Sequence, residues 1–286
     1  MRLLLGGALA SLVQLPQIAR IIVVDNASAD NTCSYVRSHF PTVEVIENQT
    51  NLGFGCGNNV GLQRVTTPFA LLVNPDAIID ARSVEALLDA AGDYPDAAIL
   101  APSLRDEDGT LHLSFKRHVF AREARSTRSA KLSDDEIAGP LCAEYLSGAL
   151  MLWRMYHMQQ IGFFDEAIFL YYEDDDICLR ARAGGFSCVY VPQAKAMHLM
   201  GQSSGAPNPK AERFKQYHMI YSRLHLEQKY GSTDASLSLA RKLRREYALR
   251  ALFYRLSLNA LKSARYAGRL HATRDWLGAA TTNHTS

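Results

Sequence analysis

Residues 21–30, Ile-Ile-Val-Val-Asp-Asn-Ala-Ser-Ala-Asp, indicate how this chain is expected to fold. Four consecutive apolar residues stop at Asp25-Asn26, which is the pattern of a short strand buried on both faces. A helical segment over residues 32–39 and a second strand over residues 43–46 follow. Because short strands and helices keep alternating through the first two hundred residues, we predict an α/β domain with a mostly parallel sheet.

Further elements of the same kind follow along the chain. We predict strands at residues 69–73, 99–101, 188–191 and 195–197, and a helix at residues 81–91. Residues 116–140 are charged and weakly periodic, so they are expected to form a loop. Beyond residue 209 the pattern is helical only. We therefore predict an α/β domain over residues 1–209 and a basic helical extension over residues 210–286.

Composition is that of a globular protein. The chain has 286 residues, 48% hydrophobic and 21% charged, enough for one substantial domain with an appendage. Its five cysteines are scattered without a Cys-x-x-Cys pair, which argues against a disulfide framework or a zinc site and favours a reducing compartment. No apolar run approaches the roughly 18–20 residues that span a bilayer.

Charge is distributed unevenly along the chain. Residues 1–209 hold 16 Lys and Arg against 24 Asp and Glu, whereas residues 210–286 hold 15 against 5. A basic tail favours an anionic partner. The alternative is a solvated helical face without a partner.

Two carboxylates follow predicted strands, and open parallel sheets bind ligands beyond the carboxyl ends of their strands. Asp25 is suited to accept the imide N–H of uracil or thymine, although a cap within Asp-Asn-Ala-Ser is the alternative. In Asn74-Pro75-Asp76 the proline stiffens the turn. Asp76 would then suit Mg²⁺, which uses one or two protein carboxylates and completes its shell with phosphate oxygens. An ordinary turn is the alternative there.

Three further features are weaker when taken singly. The glycine-rich residues 51–59 allow close approach of a ligand but match no complete phosphate-binding motif. Glu173-Asp-Asp-Asp176 either stabilises a helix start or, by mutual repulsion, raises one carboxyl pKa towards the range of a general base. His198, before the loop of residues 201–205, is a polar strand residue or a metal ligand.

In their order along the chain these motifs resemble those of the family 2 glycosyltransferases. The resemblance covers roughly residues 3–205 and is greatest to the rhamnosyltransferase-like branch that builds bacterial cell-surface polysaccharides. It implies the GT-A fold, a Rossmann-like, mostly parallel sheet flanked by helices, here with a C-terminal helical extension. The motifs that carry it are Val23–Asp30, Asn51–Asn59, Leu72–Asp76, Ser147–Ala149, Gly162–Glu166 and Tyr172–Arg180.

The resemblance also assigns roles to individual residues. Nucleotide-sugar binding falls to Asp25, Asn26, Gly53, Asn59, Asn74 and Asp76. Asp25 would contact the base, Asn74 the ribose region, and Asn59 would border the donor pocket. Asp76 and His198 would ligate Mg²⁺ or Mn²⁺.

On the acceptor side, Asp174 would be the base that deprotonates the attacking hydroxyl. Gly148, Trp153 and Glu173 would lie near it. The implied reaction is a single in-line displacement with inversion at the anomeric carbon.

The implied donor is a nucleotide sugar, with deoxythymidine-diphosphate rhamnose preferred over a galactofuranose, N-acetylglucosamine or other hexose donor. The implied acceptor is a cell-surface glycan or a polyprenyl-linked sugar, without a nucleic-acid partner. A non-catalytic binding or scaffold protein is the alternative of another class. The expected location is the cytoplasm, peripherally at the inner face of the cell membrane.

One departure from the family concerns its opening strand. Ala8-Leu-Ala-Ser-Leu12 matches the first helix of the family, and the chain begins just before it. The strand that normally precedes this helix inside the sheet is therefore expected to be missing. Either the start codon has been placed too far downstream, or this chain is impaired.

The basic tail contains an apolar stripe at helical spacing, formed by Leu249, Leu252, Phe253, Leu256 and Ala260. Basic residues surround the stripe: Arg250, Arg255, Lys262, Arg265 and Arg269. Such a helix either lies on an anionic membrane surface or packs against the catalytic domain.

Overall fold

A computed structural model describes residues 2–112, 114–116, 137–199 and 208–282. Its helices are α1 (Arg2–Leu12), α2 (Thr32–His39), α3 (Phe54–Leu62), α4 (Ala81–Asp93), α5 (Met155–Ile161), α6 (Glu173–Ala183), α7 (Pro209–Tyr230), α8 (Thr233–Leu256) and α9 (Ala260–Thr282). Its strands are β1 (Ile22–Asp25), β2 (Glu44–Glu47), β3 (Phe69–Val73), β4 (Ala77–Ile79), β5 (Ala97–Arg105), β6 (Leu111–His112), β7 (Phe115–Lys116), β8 (Leu141–Cys142), β9 (Tyr145–Leu146), β10 (Leu150–Arg154) and β11 (Ser187–His198).

The described chain divides into two compact units. The first comprises residues 1–52, 56–165 and 174–203, and the second combines residues 53–55 and 166–173 with the chain from residue 204 onward. The helical pattern predicted beyond residue 209 is present as α7, α8 and α9. The domain boundary itself stays a prediction.

Residues 22–25, from the apolar stretch that ends at Asp25, form a strand of a small two-stranded sheet. Strand β1 pairs in parallel with β2, with Asp25 opposite Glu47. Leu5 and Leu9 of α1 join Val36 and Val43 in a buried cluster against this sheet. On α3, a Cβ added at Gly61 would lie 3.1 Å from the side chain of Val24, so glycine lets α3 pack closely against β1 without displacing that side chain.

The larger sheet has the strand order β3-β10-β5-β11-β4, with β6 pairing to β5 and β8 to β11. Strand β11 runs parallel to β5, whereas β10 is antiparallel to both β3 and β5, and β4 is antiparallel to β11. The α/β prediction is confirmed, with a mixed sheet. Strands β3 and β4 are joined by the short turn of residues 74–76, but they pair with β10 and β11 rather than with each other.

Helix α1 contacts residues of both sheets. Its Leu12, with the adjoining Leu15, joins the main core cluster that contains Ala77, Ile79 and Val84. Among the described residues β1 pairs only with β2, and β3 pairs only with β10. No described strand lies between β1 and β3.

The second unit is built on three long helices. Asn208 and Ser232 cap α7 and α8 by accepting from the N–H groups of Ala211 and Ala235, each three residues on. A buried cluster joins the three helices: Ile220, Leu224, Leu237, Ala240, Leu243, Tyr247, Tyr266, Ala272 and Trp276. None of the described helices is long and apolar enough to cross a membrane.

Candidate active site

The turn between β3 and β4 brings Asp76 to His198. Pro75 sits in a turn closed by the Ala77 N–H, which donates to the Asn74 carbonyl at 3.0 Å. Ala77 is also the antiparallel partner of His198, so the register of β4 and β11 places Asp76 next to the histidine ring. His198 Nε2 lies 3.3 Å from Asp76 Oδ1, with side chains 13% and 2% exposed.

This pair suits a hard divalent cation. A carboxylate oxygen and an imidazole nitrogen converge, and the other ring nitrogen of His198, Nδ1, has no hydrogen-bond partner among the described residues. No group of three or more His, Cys, Asp or Glu side chains in the described ranges is placed to hold a metal. Two protein donors leave most of the shell to ligand oxygens and water, as Mg²⁺ and Mn²⁺ sites for phosphates require.

Asp174 lies in the first turn of α6 and is held by donors from other parts of the chain. Its Oδ2 accepts the Tyr145 O–H at 2.8 Å and the Gly148 N–H at 3.1 Å. Its Oδ1 accepts the N–H of Asp175 at 3.1 Å. Burial, reinforced by the negative charge of Asp174, raises the pKa of Tyr145, so the phenol stays protonated as a donor.

Residues 147–149 connect these two places. The Gly148 N–H holds Asp174, while the carbonyl of the next residue, Ala149, accepts the Asn74 N–H at 2.9 Å. The turn that carries Asp76 and the helix start that carries Asp174 are therefore both attached to one three-residue segment. Gly148, predicted on the acceptor side, contacts the predicted base directly.

The four consecutive carboxylates of residues 173–176 occupy different environments. Asp176 is fully buried and accepts from Arg180 Nε at 2.8 Å, one turn along α6. Arg180 also donates to the carbonyls of Ile161, Gly162 and Phe163 at 3.2, 2.9 and 2.5 Å. Glu173 is buried, 7% exposed. The sequence motif contained Arg180, but its role as the anchor of α6 was visible only in the structure.

Asp25 ends β1 and is nearly buried. Its Oδ2 accepts the Ser28 N–H at 3.0 Å, so the carboxylate closes a turn ahead of α2 rather than capping the helix. Cys33 lies next to it. Burial, together with Asp25 and Glu47, raises the pKa of this thiol to about 11.

Asn26 joins the loops that follow β1 and β2. Its side-chain oxygen accepts from the Asn48 amide at 3.2 Å and from the Leu52 N–H at 3.0 Å, and its nitrogen donates to the Asn51 side chain at 3.1 Å. A contact between Asn26 and a nucleotide stays a prediction. What the structure shows is a residue that shapes the loop beside Asp25.

Asn59 is buried in α3 with both ends of its amide engaged. It donates to the Phe164 carbonyl at 2.9 Å and accepts the Phe164 N–H at 3.0 Å. It thus ties α3 to the loop of residues 162–166. Its predicted position at the donor pocket rests on the resemblance alone.

Gly53 meets a backbone requirement within the second unit. Its φ is +87°, and an added Cβ would lie 2.2 Å from the Phe169 carbonyl oxygen. That same oxygen accepts the Phe54 N–H at 2.9 Å. Glycine is therefore needed for approach of the Phe169 backbone, whether or not a ligand also approaches.

Trp153, predicted to lie on the acceptor side, occupies the core. It is 0% exposed, its indole N–H points to the Met151 sulfur at 3.4 Å, and the ring of Phe164 lies 4.8 Å away. With no exposed surface, the side chain has nothing to offer an acceptor from solvent. It supports β10, the strand that follows Ser147–Ala149.

Left-handed backbone conformations adjoin the predicted site residues. Among described non-glycine residues only Ala27, Tyr171, Tyr172 and Leu258 have a positive φ. Ala27 follows Asp25 and Asn26, and the two tyrosines directly precede Glu173 and Asp174. Such conformations cost about 1–3 kcal/mol each and cluster where function constrains the backbone.

Parts of the predicted site lie outside the described residues. These are the loop of residues 201–205 after His198 and most of the predicted loop of residues 116–140. Tyr145 was missed at the sequence level. Its only signal was its position two residues before Ser147-Gly148-Ala149.

Comparison with known proteins adds to this geometry. The family described as Glycosyl transferase family 2 matches residues 3–151. Over 210 residues the chain is 29% identical to the N-acetylglucosaminyl-diphospho-decaprenol L-rhamnosyltransferase of Mycobacterium tuberculosis, covering 65% of this chain and 68% of that protein. It is 24% identical over 192 residues to the rhamnosyltransferase WbbL of Escherichia coli, covering 63% and 72%.

A solved structure shares the fold. The mannosyltransferase PcManGT from Pyrobaculum calidifontis, in complex with GDP-Man and Mn²⁺, superposes with a TM-score of 0.56 at 15% identity, covering 99% of this chain and 84% of that one. The GT-A fold predicted from the sequence motifs is thereby confirmed.

Proposed function

This chain belongs to glycosyl transferase family 2, and we propose that it is an inverting, metal-dependent enzyme that transfers rhamnose from a deoxythymidine-diphosphate donor. The proposed acceptor is a hydroxyl of a cell-surface glycan or of a polyprenyl-linked sugar. The observation that carries the proposal is the segment of residues 147–149. It attaches the turn of the Asp76–His198 pair and the Asp174 carboxylate to one short stretch of backbone.

Asp174 is suited to the role of general base. Its two oxygens offer about four acceptor positions, and Tyr145, Gly148 and Asp175 use three of them. No donor from the described part of the chain uses the fourth position, on Oδ1, which can take the proton of an acceptor hydroxyl while Oδ2 stays fixed. A base held in this way keeps its orientation as the acceptor arrives.

The proposed step is one displacement. The acceptor oxygen forms a bond to the anomeric carbon as the bond from that carbon to the diphosphate oxygen breaks. The hydroxyl proton passes to Asp174, and the electron pair of the broken bond leaves with the nucleoside diphosphate. A divalent cation held by Asp76 and His198 would neutralise the charge of that leaving group.

The choice of donor and acceptor rests on the relatives. Two proteins that match 65% and 63% of this chain are named rhamnosyltransferases, and the name of one includes diphospho-decaprenol. Another hexose donor is the alternative within the class. No disulfide joins the five cysteines, all of which lie in the described ranges, and this supports a working location in a reducing compartment such as the cytoplasm.

The test is transfer or hydrolysis of a panel of nucleotide sugars by the full chain with Mn²⁺. Asp174→Asn should lower kcat by about 100-fold or more, the usual contribution of a general base, without preventing folding. Asp93→Asn, at an exposed carboxylate on α4, is the matched control and should leave kcat unchanged. Equal activity of the Asp174 variant would refute its role. A folded wild-type chain without turnover on any donor would favour a non-catalytic binding protein.

A further inference from the structure

The helical hairpin of α8 and α9 carries an apolar surface on its tip. Leu249 is 72% exposed, Leu252 56%, Phe253 62% and Leu256 74%, and Leu258 in the following turn is 90% exposed. We call these five residues the hairpin-tip surface. Contiguous exposed apolar surface of this kind is uncommon on a protein without a partner for it.

This surface is separate from the face of α8 that packs in the second unit. The buried side of α8 is formed by Leu237, Ala240, Leu243 and Tyr247, and Ala251 and Tyr254 continue it. Leu249, Leu252, Phe253 and Leu256 follow the i, i+3, i+4, i+7 spacing of a second face. From Tyr247 onward α8 is therefore apolar on two opposite sides, and only one side is buried.

Cations surround the exposed side. Lys242 and Arg245 precede Leu249 by two turns and one turn on the same face, and both are exposed. Arg250 and Arg255 flank the apolar residues. Residues 241–256 contain one acid, Glu246, which is 3.0 Å from Arg250. An apolar face bordered by cations is complementary to an anionic lipid surface, where acyl chains accept the leucines and headgroups accept the charges.

The turn at the tip supplies an independent observation. Leu258 has a φ of +55°, a left-handed conformation normally left to glycine or asparagine. The next residue, Asn259, caps α9 by accepting the Lys262 N–H at 3.0 Å. The hairpin thus keeps a large apolar side chain at a strained, solvent-facing position where a smaller polar residue would be easier to accommodate.

From these observations we infer that the hairpin-tip surface docks on an anionic lipid bilayer. The leucines and Phe253 enter the boundary between headgroups and acyl chains, and Lys242 and Arg245 contact lipid phosphates. The inference stands apart from the proposed reaction, because docking needs neither donor nor acceptor. A failed transferase assay and a failed membrane assay can therefore be distinguished.

The test is flotation of the full chain with vesicles of phosphatidylcholine alone or mixed with phosphatidylglycerol. The wild-type chain should bind the mixed vesicles, and high salt should weaken the binding. Leu249→Gln combined with Phe253→Gln should lower the partition coefficient at least about tenfold, because it removes two exposed apolar groups. Lys242→Gln combined with Arg245→Gln should reduce binding to the mixed vesicles only.

The matched control is Leu3→Gln combined with Tyr156→Gln, which removes apolar side chains that are 91% and 71% exposed elsewhere in the chain. This variant should bind vesicles like the wild-type chain. Circular dichroism should show equal helix content for all variants. If the wild-type chain binds neither kind of vesicle, or if the control variant loses as much binding as the Leu249/Phe253 variant, the inference is wrong. If sedimentation shows a dimer that the Leu249/Phe253 variant dissociates, while vesicles are ignored, the surface binds a second copy instead.

Discussion

Replacement of Arg180 with Met should strongly destabilise the α/β unit. Arg180 is 20% exposed and supplies the charge opposite Asp176, whose side chain is fully buried. It also donates to three carbonyls of residues 161–163. Removal of one partner of a buried ion pair costs about 3–5 kcal/mol, which is a large part of the about 5–15 kcal/mol that stabilises an ordinary domain.

The measurement is the free energy of unfolding in urea, followed by the fluorescence of Trp153. The chain has two tryptophans, and the other, Trp276, belongs to the buried cluster of the helical unit. A Trp276→Phe background therefore makes the signal specific for the α/β unit, so that separate unfolding of the two units does not confuse the result. Transferase activity should fall as well, because α6 carries Asp174.

Two further variants separate charge from geometry. Arg180→Lys keeps the charge but not the planar guanidinium, so its free energy of unfolding should lie between those of the wild-type chain and Arg180→Met. Arg180→Met combined with Asp176→Asn should recover part of the loss, because no buried charge is left without its arginine. A loss below about 1 kcal/mol for Arg180→Met, or a double variant no more stable than the single one, would refute the buried ion pair as the anchor of α6.

Three other predictions concern single contacts. Tyr145→Phe removes a hydrogen-bond donor to Asp174. Because a hydrogen bond to a charged group contributes about 1.5–3 kcal/mol, kcat should fall at least tenfold while the KM for the nucleotide sugar stays constant. An unchanged kcat would show that Tyr145 does not position the base. Gly53→Ala should speed hydrogen exchange of the Phe54 N–H far more than Gly185→Ala does. Gly185 also has a positive φ, but no atom lies within 4 Å of a Cβ added there. Equal effects of the two variants would show that contact with the Phe169 backbone is not what requires glycine at position 53. The rate of Cys33 alkylation, measured by mass spectrometry, should rise with pH up to about 11. It should be faster in Asp25→Asn, because a neutral neighbour lowers the thiol pKa. A midpoint near the ordinary pKa of a thiol would contradict the combined effect of burial, Asp25 and Glu47 on this group.

Local patterns predicted most elements of the α/β unit. The helix over residues 32–39 and the strand over residues 69–73 have the predicted bounds, and the helix predicted at 81–91 extends to Asp93. These segments are specified by apolar spacing within a few residues and by nearby polar or proline breaks. The two strands predicted between residues 188 and 197 form one strand, β11, whose register against β5 shifts between Val191 and Lys195. That irregularity is the reason why the pattern looked interrupted.

The residues of the candidate site were predicted less completely than the helices and strands. Asp76 and His198 lie next to each other, while their role as metal ligands stays a prediction. Asp174 accepts a hydrogen bond from Gly148, another residue of the predicted site. The interior position of Trp153 was not predicted, because an aromatic residue in a strand has the same pattern whether it faces the core or a ligand. Tyr145 was missed for a related reason, since a single tyrosine carries no spacing signal.

The sequence alone predicted the first strand and its end at Asp25, the order of helices and strands, the family motifs and the apolar stripe of α8. Each of these features depends on residues that are close neighbours in sequence. Tertiary structure alone decided which strands run antiparallel, that residues 147–149 connect Asp76 to Asp174, and that the stripe on α8 faces solvent rather than the core. Those outcomes depend on partners far apart in sequence, as with Asn59 and Phe164, which are 105 residues apart. The chain pattern specifies which residues can pair, and packing selects which of them do.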